Sequence, residues 1–127
     1  MAALTYLDTH VAAWLYAGLD GLLSKTARRA IDHGELWVSP AVLLELQYLF
    51  ETKRTTEPGT TVIDALSRQI GVQMCGVAFA DVVHRALDER WTRDPFDRLI
   101  VAQAAVREGV LVSKDRTIRR HYTRAVW

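Results

Sequence analysis

Leu36-Trp37-Val38-Ser39-Pro40-Ala41-Val42-Leu43-Leu44-Glu45-Leu46 decides the fold, because one structural period passes directly into another. Three apolar residues in a row suit a short strand buried on both faces. Ser39 brings a hydroxyl that can cap a helix, and Pro40 has the fixed φ of a first helical position, where no amide hydrogen is needed. The helix should run to about Lys53. A strand that hands the chain straight to a helix N-terminus is the repeating unit of a parallel sheet.

The pattern recurs on both sides. Leu4–Leu7 is an apolar run ending in Asp8-Thr9, followed by a helical stretch over His10–Ala17. Ser24 caps a helix to about His33, which Gly34 should end at its C′ position. Pro58-Gly59 marks a loop before a helix from Thr60 or Thr61 to Ile70. Val72–Val77 reads as a third strand and Ala78–Arg90 as a helix. Asp94-Pro95 opens another helix that closes at Gly109, Val110-Leu111-Val112 is a fourth strand, and a short helix starts at Asp115. Ala125-Val126-Trp127 is a candidate edge strand. The expected architecture is α/β, one domain over residues 1–127. Three layers place four or five short parallel strands between helices on both faces. Such sheets bind ligands at the carboxyl ends of their strands.

Composition fits this: 127 residues, 50% hydrophobic and 24% charged, make an ordinary globular chain with a core. Net charge is +1, but its distribution is uneven. Residues 1–84 carry six Lys/Arg and nine Asp/Glu, residues 85–127 ten and six. The basic last third could present a positive surface to a polyanion, although a solvated charged face is the simpler reading. The single Cys75 excludes an internal disulfide and any paired thiolate site. No basic residue adjoins it in sequence, so a buried structural thiol is expected. The first residues lack the positive start and long apolar stretch of a signal peptide. No uncharged apolar run approaches the ~20 residues of a membrane span. The expected location is the cytoplasm.

Four acids stand out, and each has an ordinary explanation. Asp8 and Asp115 follow strands and could cap the next helix. Asp94 can cap its helix and Pro95 take the first position. Asp97 then falls third, where its charge suits the helix dipole and could reach back to the capping residue. Glu45 resists such an account. At about 100° per residue, Gln47 and Glu51 form one narrow polar stripe and Glu45 lies roughly 120–160° away, between Ala41 and Leu49. A carboxylate on a packed face needs a cation, and no Lys or Arg lies within one turn of it. Asp8 and Asp115 end strands, Glu45 is two turns into a helix after a strand, and Asp97 begins a helix. Four carboxylates gathered at one rim would repel, and hard divalent ions favour such an oxygen-only setting. Magnesium or manganese suits it better than zinc. His10, His33, His84 and His121 show no ligand spacing.

These motifs resemble the PIN-domain ribonucleases, in particular the VapC-type toxins of toxin–antitoxin modules. Tyr6-Leu7-Asp8-Thr9-His10 is similar to the opening acidic motif and Ser39–Glu45 to the Glu-bearing helix. Arg93-Asp94-Pro95-Phe96-Asp97-Arg98-Leu99-Ile100-Val101-Ala102-Gln103-Ala104 closely resembles a stretch of one branch of these toxins, and Leu111-Val112-Ser113-Lys114-Asp115 the fourth acidic motif. Many members have Thr where Ser113 stands. The resemblance implies a PIN-like fold and Mg²⁺, with Mn²⁺ as the alternative. It further implies RNA as substrate and a small antitoxin as inhibitor, in a homodimer or a toxin–antitoxin hetero-oligomer. Asp8, Glu45 and Asp97 would hold the metal, with Asp115 completing the site through water.

On this reading the chain is a metal-dependent endoribonuclease that hydrolyses phosphodiester bonds with a metal-activated water. Arg98, Lys114, Arg116, Arg119 and Arg120 surround the acidic motifs and are candidates for gripping RNA phosphates. Surface solubility is an equal explanation for any one of them. Thr9 has two roles open to it, a helix cap or a hold on a carboxylate or water, and the cap is the simpler. Trp14, Trp37, Trp91, Trp127, Tyr16 and Tyr48 are core residues by default, while Trp14, Tyr16 and Tyr48 could instead form an apolar patch for a partner helix. Two rivals remain. A phosphoacceptor signalling domain needs an acid after its central strand, and Val72–Val77 offers none. A non-catalytic PIN-like interaction module would keep the acids without cleaving RNA.

Overall fold

Residues 2–127 are described by the computed structural model. β1 (Leu4–Leu7) enters α1 (Thr9–Tyr16), and a 3-10 turn at Asp20–Leu22 leads to α2 (Lys25–His33). β2 (Glu35–Val38) enters α3 (Pro40–Glu51), followed by α4 (Gly59–Ile70), β3 (Gln73–Met74) and α5 (Phe79–Ala86). The chain ends with α6 (Pro95–Val106), β4 (Val110–Val112), α7 (Arg116–His121) and β5 (Ala125–Val126). The strands form one sheet in the order β3-β2-β1-β4-β5, and every neighbouring pair is parallel. Side chains alternate between faces along a strand. The consecutive residues Tyr6 and Leu7, and Leu111 and Val112, are all at most 1% exposed. Both faces of the sheet are therefore covered, as unbroken apolar strands require. No helix among the described residues is long and apolar enough to cross a membrane.

Capping chemistry sets where the helices begin. Ser24 accepts from the Ala27 amide and Ser39 from the Ala41 amide, both at 3.0 Å. Asp94 and Asp115 each accept from two amides of the helix they precede. The start of α4 is held differently. Gly59, expected in a loop, is its first residue, and its amide donates to Gln47 Oε1 from α3. A Cβ there would lie 2.7 Å from the Leu43 carbonyl, so glycine permits this helix contact. Gly34 also serves close approach rather than a left-handed cap. Its φ is −87°, and a Cβ would fall 2.2 Å from Thr5 Oγ1.

Two expectations are corrected. The third strand is Gln73–Met74 rather than Val72–Val77, and it lies at the sheet edge. β2 ends at Val38, so nothing remains to pair beyond Cys75, whose amide donates to the Val38 carbonyl. The central strand is β1, which removes the earlier reason for excluding a phosphoacceptor, since Asp8 follows the centre directly. The helix after β3 stops at Ala86 rather than Arg90. There the chain tightens into i to i+3 turns, and Glu89 folds back onto Arg85 and Trp91.

From β1 the chain builds outward to β2 and β3, then crosses back to β4 and β5. Connections leave β1 and β4 in different directions, and such a switch point opens a crevice at the carboxyl ends of the strands.

Candidate metal centre

Asp8 occupies that crevice. It follows β1, is 8% exposed, and has both oxygens engaged. The Thr9 amide donates to Oδ1 at 2.8 Å and Ser113 Oγ to Oδ2 at 2.6 Å. Ser113, fully buried just after β4, also accepts from the Asp115 amide at 3.1 Å. One hydroxyl thus ties together the two strand ends that carry acids. No role for Ser113 is expected from the residues alone. The available signal was a hydroxyl residue between an apolar strand and a helix-capping Asp.

Glu45 meets Asp8 from the other side. It is half-buried on α3, and the hydroxyl of buried Thr9 donates to its Oε1. Asp8 itself caps α1, so Thr9 is released from capping and positions a carboxylate. Asp97 is placed differently. Asp94 accepts from both the Phe96 and Asp97 amides, so the Asp97 side chain does no capping. Among the described residues no donor reaches its carboxylate. Asp115 spends Oδ1 on the Thr117 and Ile118 amides at the start of α7. All four acids, joined by Asp94, line one pocket of about 490 Å³.

The electrostatics register this crowding. Burial raises Asp8 above its ordinary value despite the bonds from Ser113 and Thr9. Burial also raises Glu45, with Asp8 and Asp94 adding to the effect and Thr9 opposing it. Asp97 is pushed up to about 7, first by burial and then by the charges of Asp94, Asp8, Asp115 and Glu45. Asp94 therefore does more than cap.

Whether this donor set fits a divalent cation depends on which cation. Among the described residues no three His, Cys, Asp or Glu groups are already assembled around a single ion position. That arrangement is unlike a closed zinc or calcium cage. The side chains that could hold a cation here are carboxylates, the oxygen donors that hard divalent ions take. Asp8 and Glu45 are pre-oriented, Asp97 is unengaged, and each carboxylate oxygen has lone pairs to spare.

Of the cations expected to hold phosphate, Lys114 lines the pocket. Arg98 is instead clamped into the loop before α6, its Nε donating to the Glu89 and Thr92 carbonyls at 2.9 and 3.1 Å. Arg116, Arg119 and Arg120 lie on α7 and do not line the pocket. Arg119 turns back to the Lys114 carbonyl. Sequence reasoning missed Arg54, which reaches the pocket from the segment after α3. Its position rests on tertiary folding and no local pattern marks it.

The aromatic residues are only partly core. Trp14 lines the acidic pocket between His10, 6.2 Å away, and Trp127, 5.9 Å away, with Lys114 Nζ 5.8 Å from its ring. His10 is a wall residue of the same pocket. Tyr48 is exposed and pairs with Phe96 at 6.2 Å, apart from the Trp14–Tyr16 surface it was grouped with. Cys75 is buried as expected, but tertiary folding brings Arg107 Nη1 to 4.0 Å and the Tyr6 hydroxyl to 3.2 Å.

Comparison with known proteins agrees with this architecture. The PIN domain family model matches residues 5–123. Ribonuclease VapC22 of Mycobacterium tuberculosis is 36% identical over 121 residues, covering 91% of this chain and 89% of that protein. VapBC2 from Rickettsia felis, solved with a DNA fragment from its promoter, shares the fold at a TM-score of 0.65 and 16% identity, with 92% of each chain covered. VapBC-1 from nontypeable Haemophilus influenzae does so at 0.56 and 15%, covering 98% of this chain and 96% of that one. A β1-centred parallel sheet with acids at its switch point, matched along nearly its whole length, places the chain in the PIN-domain family, within its VapC branch.

Proposed function

We propose that the chain is an endoribonuclease dependent on Mg²⁺, or alternatively Mn²⁺, and the toxin of a toxin–antitoxin pair acting in the cytoplasm. The observation that carries this reading is Asp97: a carboxyl pushed up to about 7 by burial and four neighbouring acids, with no donor on it. Both ion pairs in the described structure belong to Arg85, so no contact cation answers the acids of the pocket. Retaining such a group costs stability unless a cation relieves it.

Asp8, Glu45 and Asp97 hold the metal in this proposal, with Asp115 acting through water. Divalent metal, when bound, supplies water activation and neutralises charge gathering at the phosphate. The protein's own part is orientation. Ser113 and the Thr9 amide fix Asp8, the Thr9 hydroxyl fixes Glu45, and the capped start of α6 presents Asp97. Arg54 and Lys114, on the walls of the same pocket, are placed to receive phosphate oxygens. The antitoxin is a small protein that covers this pocket. Leu44 and Phe79, 62% and 68% exposed beside a small apolar cavity, give an assembled form further surface to bury.

The test is incubation of the purified chain with a mixed RNA pool, in chelator and in excess Mg²⁺ or Mn²⁺. Internal cleavage restored only by the metal is expected. An RNA pool left intact in every condition would reduce the chain to a non-catalytic relative. Labelling of Asp8 by a small phosphodonor, which this reading does not expect, would favour a phosphoacceptor instead.

A further inference from the structure

Beside the acidic pocket lies a second cavity of about 490 Å³, between α1, α3, the segment after α3 and the start of α4. The two cavities share His10, Trp14 and Arg54 in their walls. This neighbour is otherwise different in character. Tyr16, Leu46 and Leu49 add aromatic and aliphatic surface to Trp14, and Thr55, Thr56 and Glu57 add a polar edge. The Thr55 hydroxyl oxygen is enclosed with no hydrogen-bond partner among the described residues. The volume falls within the roughly 300–1,000 Å³ of small-molecule sites.

We propose that this cavity receives the unstacked base of the nucleotide next to the cleaved bond, with Arg54 holding the phosphate between base and cut. The proposal rests on the ribonuclease reading above and extends it to substrate selection.

Three observations favour a base over other occupants. The cavity adjoins the acidic pocket, with His10, Trp14 and Arg54 forming walls of both. Its walls pair flat apolar surface with hydrogen-bonding groups, the combination that recognises splayed-out RNA bases. The shared wall carries a guanidinium with no contact ion pair among the described residues, between a place for a base and a place for a metal. An apolar protein segment would fill the volume but would leave Arg54 and Glu57 unanswered.

The experiment uses the full chain with Mg²⁺ and a random-sequence RNA pool, reading nucleotide frequencies at the ends produced. Ala17→Trp fills the cavity from its exposed rim at the end of α1. Arg54→Gln removes the shared cation on an exposed segment and serves if the first variant folds poorly. The wild type should show a base preference at one position flanking the cut. Ala17→Trp should flatten that preference and raise KM about ten-fold, within the range of one lost base stack, with a smaller change in kcat. Arg54→Gln should lower the logarithmic salt slope of RNA binding by about 0.7, as one lost phosphate contact does. Unchanged base frequencies and KM in Ala17→Trp, with the wild type active, would overturn the proposal while sparing the ribonuclease reading. Loss of antitoxin binding in that variant, with cleavage unaltered, would reassign the cavity to a protein segment. No cleavage by the wild type would end both readings.

Discussion

Two acidic centres in the fold, the buried Glu89 with its partners and the pocket of five acids around Asp8, are built on opposite principles. Glu89 is 5% exposed, less than the 8% of Asp8, yet every part of it is answered. Arg85 Nη1 lies 2.9 Å from Oε1, Trp91 Nε1 donates to Oε2 at 2.5 Å, and Arg98 Nε takes the backbone carbonyl at 2.9 Å. The acidic pocket places five carboxylates together with hydroxyl and amide donors on some of them and, among the described residues, no contact ion pair on any. One cluster is a structural knot that ends a helix and fixes a loop. The other is held in tension that a bound cation would relieve. Burial of an acid therefore says little about function until its partners are known.

The widest separation between the clusters should appear in catalysis. Asp8→Asn and Asp97→Asn should each lower cleavage by more than about 100-fold, beyond the 10–100-fold typical of losing a group that merely supports a ligand. Cleavage assays in saturating Mg²⁺ check this, and near-wild-type rates would remove either residue from the site.

The reverse contrast should appear in stability. Glu89→Ala leaves Arg85 and Trp91 Nε1 without their acceptor. Because Arg85 is more than a third exposed, the cost should be about 2 kcal/mol, below the 3–5 kcal/mol of a fully buried pair. Denaturant melts should show that loss, while the folded fraction still cleaves RNA at the wild-type rate. A cleavage defect as deep as that of Asp97→Asn would mean that the two clusters are not independent.

The way these clusters are spaced along the chain also explains what could be read from sequence. The parallel sheet was legible because buried strands are unbroken apolar runs and each capped helix announces its start, as at Ser39-Pro40 and Asp94-Pro95. The acids were legible because Glu45 violates the polarity of its own helix. Strand order was not, since nothing local distinguishes the centre from the edge, and the third strand was assigned too long and too central. Nor were Arg54, Ser113 and the Thr9–Glu45 bond, which depend on elements brought together from far along the chain. Arg98 looked like a phosphate ligand for the same reason. Its carbonyl partners exist only after α5 ends early around Glu89.

A smaller effect concerns pH. In the metal-free protein Asp97 holds its proton up to about 7, whereas the unfolded carboxyl releases it near 3.8. Between those values the folded state binds the extra proton, so its stability falls as pH rises. The contribution is complete below the unfolded value and is lost as pH passes through the folded one. Burial raises Asp8 and Glu45 in the same direction. Thermal melts in chelator should therefore decline from about pH 5 to about pH 8. The decline should be shallower in Asp97→Asn and largely absent with Mg²⁺. A wild-type profile that rises over this range would mean that the acids are paired after all.

The claim that the acidic pocket is strained for a cation is tested most directly by paired thermal melts of wild type and Asp97→Asn, in chelator and in Mg²⁺, near pH 7.5. Near 100 times its dissociation constant, one ion contributes about 2.7 kcal/mol, a rise of several degrees for a chain of this length. Asp97→Asn should melt above wild type in chelator and gain less from Mg²⁺. Equal metal-induced shifts in the two proteins, or a variant that melts lower without metal, would contradict the account.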